Sequence, residues 1–101
     1  METIRAEVRV PTQELRDDIR FYTKTLKMRM DMIYPADDPT VAVFSGHGLR
    51  VRIEKGAKEA PGCIRILTDD PDGFADGKRR LTAPNGTEIE IEELNLSLIH
   101  I

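Results

Sequence analysis

The sequence predicts an α+β fold in which a sheet is covered on one face by a helix. Short segments that alternate aliphatic and charged residues recur along the 101 residues, whereas one early segment repeats its apolar residues at helical spacing. The second half of the chain follows the order of the first, which indicates an approximate βαβββ repeat with a reduced second helix. The length suits one small domain with one modest core.

In the first half, the pattern predicts a strand, a helix and three further strands. The first strand covers residues 3–10 and is expected to end at Pro11, after which Thr12 caps a helix at about residues 13–26. The apolar stripe of this helix consists of Leu15, Ile19, Tyr22 and Leu26. The three strands that follow are predicted at residues 28–34, 40–45 and 49–55. The first of them is expected to place its methionines on one side.

In the second half, a strand at residues 63–68 leads into a segment rich in proline and glycine. This segment, residues 69–77, allows at most one helical turn because proline and glycine disfavour a helix interior. The pair Asn85-Gly86 then predicts a hairpin turn between strands at residues 78–83 and 87–93.

Composition and charge narrow the class of protein. Hydrophobic residues make up 40% of the chain, which is typical of a folded domain. The 18 acidic and 15 basic residues give a net charge of -3, so neither nucleic acid nor an anionic membrane is an expected partner. The single cysteine, Cys63, and the lack of a signal-peptide pattern at the start predict a cytoplasmic protein. Residues 1–93 are assigned to one domain, and residues 94–101 to a last strand, a truncated connection or residues left by cloning.

Alternation also sorts the strand side chains between two faces of the sheet. The aliphatic side is expected to pack on the helix. The opposite side, the charged face, is predicted to contain Arg5, Glu7, Arg9, Arg50, Arg52, Glu54, Cys63, Arg65, Glu88, Glu90 and Glu92. Opposite charges there predict ion pairs across strands. If the face is enclosed, its arginines are also suited to hold a small carboxylate or phosphate.

Two segments resemble the vicinal oxygen chelate superfamily, which includes glyoxalase I, bleomycin-resistance proteins and extradiol dioxygenases. The first is "EVRVPTQELRDDIRFYTKTLKMRM", residues 7–30, where Phe21-Tyr22 and Leu26 match the family pattern and Lys27 stands in place of the usual glycine. The second is the closing hairpin "APNGTEIEI", residues 83–91. The resemblance implies paired βαβββ modules that form a curved mixed sheet, with a cavity on its concave face. That face corresponds to the charged face.

The resemblance also implies four positions for a divalent metal ion, on the first and last strands of each module. In this sequence they fall on Glu7 and Glu90 and near Arg50 and Cys63. Because an arginine is always cationic, it cannot act as a metal ligand. No cofactor is therefore favoured. If a metal is bound, the resemblance makes Glu7, Glu90 and Cys63 its ligands.

Three functions remain in consideration. The leading hypothesis is a metal-independent domain that binds a small anionic molecule through Arg50, Arg52, Arg65 and Glu90. The alternatives are a metal-dependent lyase, isomerase or dioxygenase, and a structural or regulatory domain of a larger protein. The residues identify no catalytic group. A second copy of the chain, or another domain, is expected to complete the cavity and protect the sheet edges.

Overall fold

The computed structural model describes residues 5–94. Its elements are β1 (Val8–Thr12), α1 (Leu15–Arg20) with a π-helical continuation (Phe21–Thr25), β2 (Arg29–Tyr34), β3 (Val41–Gly46), β4 (Leu49–Lys55), β5 (Cys63–Thr68), a 3₁₀ turn (Ala75–Gly77), β6 (Arg80–Thr82) and β7 (Glu88–Glu93). The α+β fold class is confirmed. The predicted start of the first strand at residues 3 and 4, and most of the tail, lie outside the described residues.

The strands form two mixed sheets, one from each half of the chain. The first has the order β1-β4-β3-β2, and the second has the order β5-β7-β6. In each sheet the first strand of the half pairs in parallel with the last, so the second sheet repeats the arrangement of the first. Residues 69–79 replace both the second helix and the counterpart of β2. The reduced helix is thus found as expected, but the described part of the second half has one strand fewer than a βαβββ unit.

The start of the helix differs from the prediction in two ways. β1 continues through Pro11 to Thr12, which is possible because β1 is an edge strand, where a missing N–H leaves no sheet partner unpaired. Thr12 does not cap α1. Glu14 occupies the N-cap position, and its carboxylate accepts a hydrogen bond from the Arg16 N–H at 3.4 Å. The Thr12 hydroxyl instead donates to the carboxylate of Asp18.

One core joins the two halves. Tyr22 and Leu26 from the helical segment, Val51 and Ile53 from β4, and Ile89 from β7 are all buried in a single cluster. The Tyr22 ring stacks on Phe44 with 5.4 Å between centroids, in a core that is otherwise mainly aliphatic. No helix in the described range, residues 5–94, is long and apolar enough to cross a membrane.

A buried polar anchor fastens the closing hairpin to the first half of the chain. We define it as Thr12, Asp18, Tyr22, Asn85 and Thr87. The Asn85 side chain donates to the Pro11 carbonyl at 2.8 Å and accepts from the Tyr22 hydroxyl at 3.3 Å. Asp18 is fully buried, and its Oδ1 has no hydrogen-bond partner among residues 5–94.

Burial changes the acidity of two members of the anchor. Removal from water raises the pKa of the Asp18 carboxyl, and the hydrogen bond from Thr12 only partly offsets this effect. Removal from water likewise raises the pKa of Tyr22 to about 12. The folded protein therefore holds the Asp18 proton more tightly than the unfolded chain does. The contribution of this carboxyl to stability is full below its unfolded-state pKa and is lost as pH rises through its folded-state pKa.

We predict that the Asp18→Asn variant loses this pH dependence. Between about pH 4 and pH 8 the free energy of unfolding of the natural protein should fall relative to that of the variant, because only the natural side chain must ionise in the core. Chemical denaturation at a series of pH values measures the difference. Asp37→Asn, an exposed carboxyl in the turn after β2, is the control and should keep the natural profile. Parallel profiles for the natural protein and Asp18→Asn would contradict the burial of a titrating carboxyl.

Candidate functional site

The strand register arranges the charged face of the first sheet in rows. The middle row contains, from β2 to β1, Met32, Val43, Arg52 and Arg9. The next row contains Arg29, Ser45 and Arg50. The middle row is therefore apolar at one end and cationic at the other.

A β-bulge at Asp31 determines which side chains of β2 reach this face. The register shifts between Met30, which pairs with Phe44 of the core, and Met32, which pairs with Val43 of the charged face. The expected one-sided row of methionines is therefore wrong, since Met28 is buried and the other two point to opposite faces. Alternation alone places Asp31 on the side opposite the methionines, where its carboxylate meets Arg50. The bulge, which the sequence does not signal, turns Met32 to that side as well.

Arg50 is enclosed between two carboxylates. Its Nε lies 2.8 Å from the Glu7 Oε2, and its Nη1 lies 2.6 Å from the Asp31 Oδ2. The side chains of Arg50 and Asp31 are only 19% and 11% exposed. Asp31 also accepts a hydrogen bond from the Arg29 Nε at 2.7 Å. Hydrogen bonds from Ser45 and Arg29, together with the positive charge of Arg50, hold the pKa of Asp31 below its ordinary value.

Arg52 is less tightly held than Arg50. Its Nε donates to Glu54 at 2.9 Å, and its terminal nitrogens have no hydrogen-bond partner among residues 5–94. The side chain is 35% exposed. Arg9 lies next to Arg52 in the row. Its Nη2 donates a hydrogen bond at 3.0 Å to Glu59, in the loop between β4 and β5. Arg52 therefore has both terminal nitrogens free, whereas Arg9 has only Nη1, which lies 3.9 Å from Glu54.

The charged face of the second sheet has its own ion pairs. Arg65 lies 3.6 Å from Glu90 and also binds Glu92, while Glu90 lies 3.3 Å from Arg80. Glu90 thus meets two arginines. Arg65 is 52% exposed. Cys63, beside them in the sheet, is exposed and pairs in register with Glu88.

The structure brings some of the sequence-predicted residues together and leaves others apart. Glu7 meets Arg50, and Arg65 meets Glu90, but each pair lies within its own sheet. Among residues 5–94, no group of three His, Cys, Asp or Glu side chains is placed to hold a metal ion. Glu7 and Glu90 are instead occupied by guanidinium groups. The residues at the four family positions therefore do not fit a divalent metal.

Two clefts lie where the two halves of the chain meet, and they are lined mainly by residues of the aliphatic side. A cleft of about 310 Å³ separates the edge of β1 from the edge of β5. A second cleft, of about 280 Å³, continues along β5 and shares Leu49, Ile64 and Arg65 with the first. Arg50 and Arg52 line neither of the two. These two clefts are therefore separate from the ion pairs of Arg50 and Arg52.

Comparison with solved structures identifies the fold. A lactoylglutathione lyase from Agrobacterium tumefaciens superposes with a TM-score of 0.65 at 12% identity, covering 91% of this chain and 94% of that chain. The bleomycin-binding protein of Streptomyces verticillus, complexed with copper(II)-bleomycin, gives 0.65 at 12% identity over 94% and 99%. The chain has the vicinal oxygen chelate fold. The fosfomycin resistance protein FosX from Listeria monocytogenes gives 0.67 at 12% identity over 99% and 100%.

The fold likeness confirms the resemblance found in residues 7–30 and 83–91. At these identities it shows the vicinal oxygen chelate fold and not a shared activity. No family model matches the sequence, and no curated protein matches it.

We predict that Arg50→Met raises the pKa of Asp31. The substitution removes a guanidinium 2.6 Å from the carboxylate, so the ionised form loses a stabilising charge. Carboxyl-carbon chemical shifts followed by NMR during an acid titration measure the change. Arg52→Met is the control, because Arg52 is the next residue of β4 on the same face. It should leave the pKa of Asp31 unchanged. An identical Asp31 titration in the natural protein and Arg50→Met would rule out this contact.

Proposed function

We propose that this chain is a metal-independent domain that binds a small anionic molecule on its charged face. The fold supports a small-molecule binding role, since it is shared with a bleomycin-binding protein and a lactoylglutathione lyase. The observation that carries the proposal is the pair of unpaired terminal nitrogens on Arg52. A guanidinium with both terminal nitrogens free binds a carboxylate or phosphate through two parallel hydrogen bonds.

In this proposal the three arginines have different roles. Arg52 contacts the anionic group directly. Arg65 provides a second, weaker contact from the other sheet: Glu90 and Glu92 already bind it, but its side chain is 52% exposed, against 19% for Arg50. Arg50 is a positioning residue, because a ligand would have to displace two close carboxylates to reach its guanidinium. Glu90 keeps Arg65 in place.

The other residues of the middle row indicate which chemical groups the rest of the ligand should carry. Next to Arg52 lie Val43 and then Met32, and the exposed ring of Tyr34 lies in the adjoining row. A ligand whose acidic group meets Arg52 would therefore lay an apolar portion across Met32 and Tyr34. Methionine and tyrosine adapt well to such a surface, because one side chain is flexible and the other presents a flat ring.

A metal-dependent lyase, isomerase or dioxygenase is the competing function. It would need Glu7, Cys63 and Glu90 to release their present arrangement and converge on one ion. The ion pairs of Glu7 and Glu90 oppose this movement, and Arg50 would leave a positive charge beside the ion. We therefore favour binding without metal.

We also propose that a second copy, or another domain, covers the charged face. Arg52 is 35% exposed, and β2 and β6 are free sheet edges among the described strands. A covering partner would exclude water from Arg52 and strengthen its contact with an anion. Light scattering under binding conditions tests the homodimer. If the protein binds the ligand as a monomer, the second copy is not needed and the homodimer is ruled out.

We predict that small carboxylates and phosphates raise the melting temperature and that Arg52→Gln weakens this effect. Losing a charge-assisted pair of hydrogen bonds should lower affinity by about 10- to 100-fold. Thermal-shift titration of the best compound measures the change, with Arg16→Gln on the exposed helix surface as control. Binding should survive a chelator.

Two outcomes would contradict the proposed function. Loss of binding in chelator would support the metal-dependent alternative. If no compound shifts the melting temperature, the structural or regulatory alternative is preferred.

A further inference from the structure

The cleft between β1 and β5 has the features of a second binding site. It has a volume of about 310 Å³, and Val8, Val10, Leu49, Val51 and Ile64 give it mainly aliphatic walls. The two strands are the facing edges of separate sheets, so the cleft lies at the junction of the two halves. Its size falls at the lower end of the range typical of ligand pockets, roughly 300–1,000 Å³.

A buried hydroxyl without a partner points to a ligand in this junction cleft. Thr87 lines the cleft and is fully buried, yet its Oγ1 has no hydrogen-bond partner among residues 5–94. The Thr87 hydroxyl lies near the Tyr22 phenol and lowers the pKa of that phenol, which burial raises. The two groups do not meet the geometric criteria of a hydrogen bond. An unpaired buried hydroxyl destabilises the folded protein, so a ligand that accepts its hydrogen bond gains affinity. Contact with a ligand therefore requires a χ1 rotation that turns the hydroxyl from the Tyr22 phenol toward the cleft.

The charges around the cleft select an uncharged ligand. Arg65 is the charged residue among those that line it, and its guanidinium is already bound by Glu90 and Glu92. A cation in the cleft would find no carboxylate, and an anion would compete with two carboxylates for one guanidinium. A neutral molecule has neither cost.

Size and shape narrow the class further. A cavity of about 150 Å³ holds benzene, so the junction cleft has room for a fused two-ring compound. The second cleft, which shares Leu49 and Ile64, leaves space for a substituent along β5. We propose that the junction cleft binds a small, uncharged, ring-containing molecule with one oxygen that accepts a hydrogen bond from the Thr87 hydroxyl. Arg52 does not line this site. The site shares Arg65 with the anion-binding proposal, but the neutral ligand needs no contact with that guanidinium.

Cys63 supplies a reporter for occupancy. It is the single cysteine in the sequence, it is exposed, and it lines the cleft. A molecule bound in the cleft should therefore slow alkylation of its thiol by a maleimide.

The test compares two probes of nearly equal shape, 2-acetylnaphthalene and 2-isopropylnaphthalene. The ketone carries an acceptor oxygen and the hydrocarbon does not. In the natural protein the ketone should protect Cys63 at about 5- to 10-fold lower concentration, the effect of one hydrogen bond. Thr87→Val should abolish the difference, whereas Thr87→Ser, which keeps the hydroxyl, should retain it.

Two controls separate the site from other effects. Thr82→Val removes an exposed hydroxyl that donates to Glu88, and it should keep the preference for the ketone. Arg52→Gln should also keep it, which distinguishes failure here from failure of anion binding. Equal protection by the two probes, no protection by either, or a preference that survives in Thr87→Val would overturn the proposal. So would protection that appears only when the probe changes the oligomeric state. The comparison of probes in the natural protein decides the matter even if Thr87→Val does not fold.

Discussion

The enclosure of Arg50 between Glu7 and Asp31 is the constraint on which the charged face depends. A guanidinium cannot lose its charge, so a permanent cation stands where the family likeness would place a metal ligand. Two charge-assisted hydrogen bonds at 2.6 and 2.8 Å neutralise it in a site that is mostly shielded from water. Because Arg50 takes up both carboxylates, Arg52 is left with free donors. The same carboxylate, Asp31, sits on the bulge that turns Met32 onto the charged face.

The buried polar anchor has a different task, which is to hold the two halves together. The second half contributes three strands and no full helix, so its hairpin has no helix of its own half to pack on. Asn85 compensates by bonding to the Pro11 carbonyl and the Tyr22 hydroxyl of the first half. Asp18 and Thr87 each leave one oxygen unpaired, so the anchor costs stability as well as providing it. Its contacts fix one position for the hairpin turn, which an apolar contact alone would specify less tightly.

Much of the fold could be predicted because alternation is strong in the strands. The bounds of β4 and β5 agree with the sequence pattern, and β7 differs by one residue. The absence of a counterpart to β2 between residues 69 and 79 was harder to foresee, since the repeat suggested a full set of strands. The end of β1 was placed too early, at Pro11. A proline ends a central strand but is tolerated in an edge strand, and the sequence alone does not show which strands form the edges of the sheet.

The site was only partly accessible from the sequence. Alternation assigns Arg50, Arg52, Arg65 and Glu90 to one face, but it does not give the register that decides their partners. Asp31 was missed because its contact with Arg50 depends on the register of β2, and Met32 was misplaced because a bulge reverses the alternation after Asp31. Asp18 was missed because a carboxylate on a helix is ordinarily solvated, and its burial follows from where the closing hairpin packs.

Metal analysis of protein purified without chelator tests the central claim most directly. If Arg50 and its carboxylates have replaced a metal centre, the protein should contain far less than one divalent ion per chain, also after incubation with manganese, nickel or zinc and dialysis. About one ion per chain that is lost in both Glu7→Gln and Glu90→Gln would contradict the account, because those two carboxylates would then meet at a metal and not at arginines.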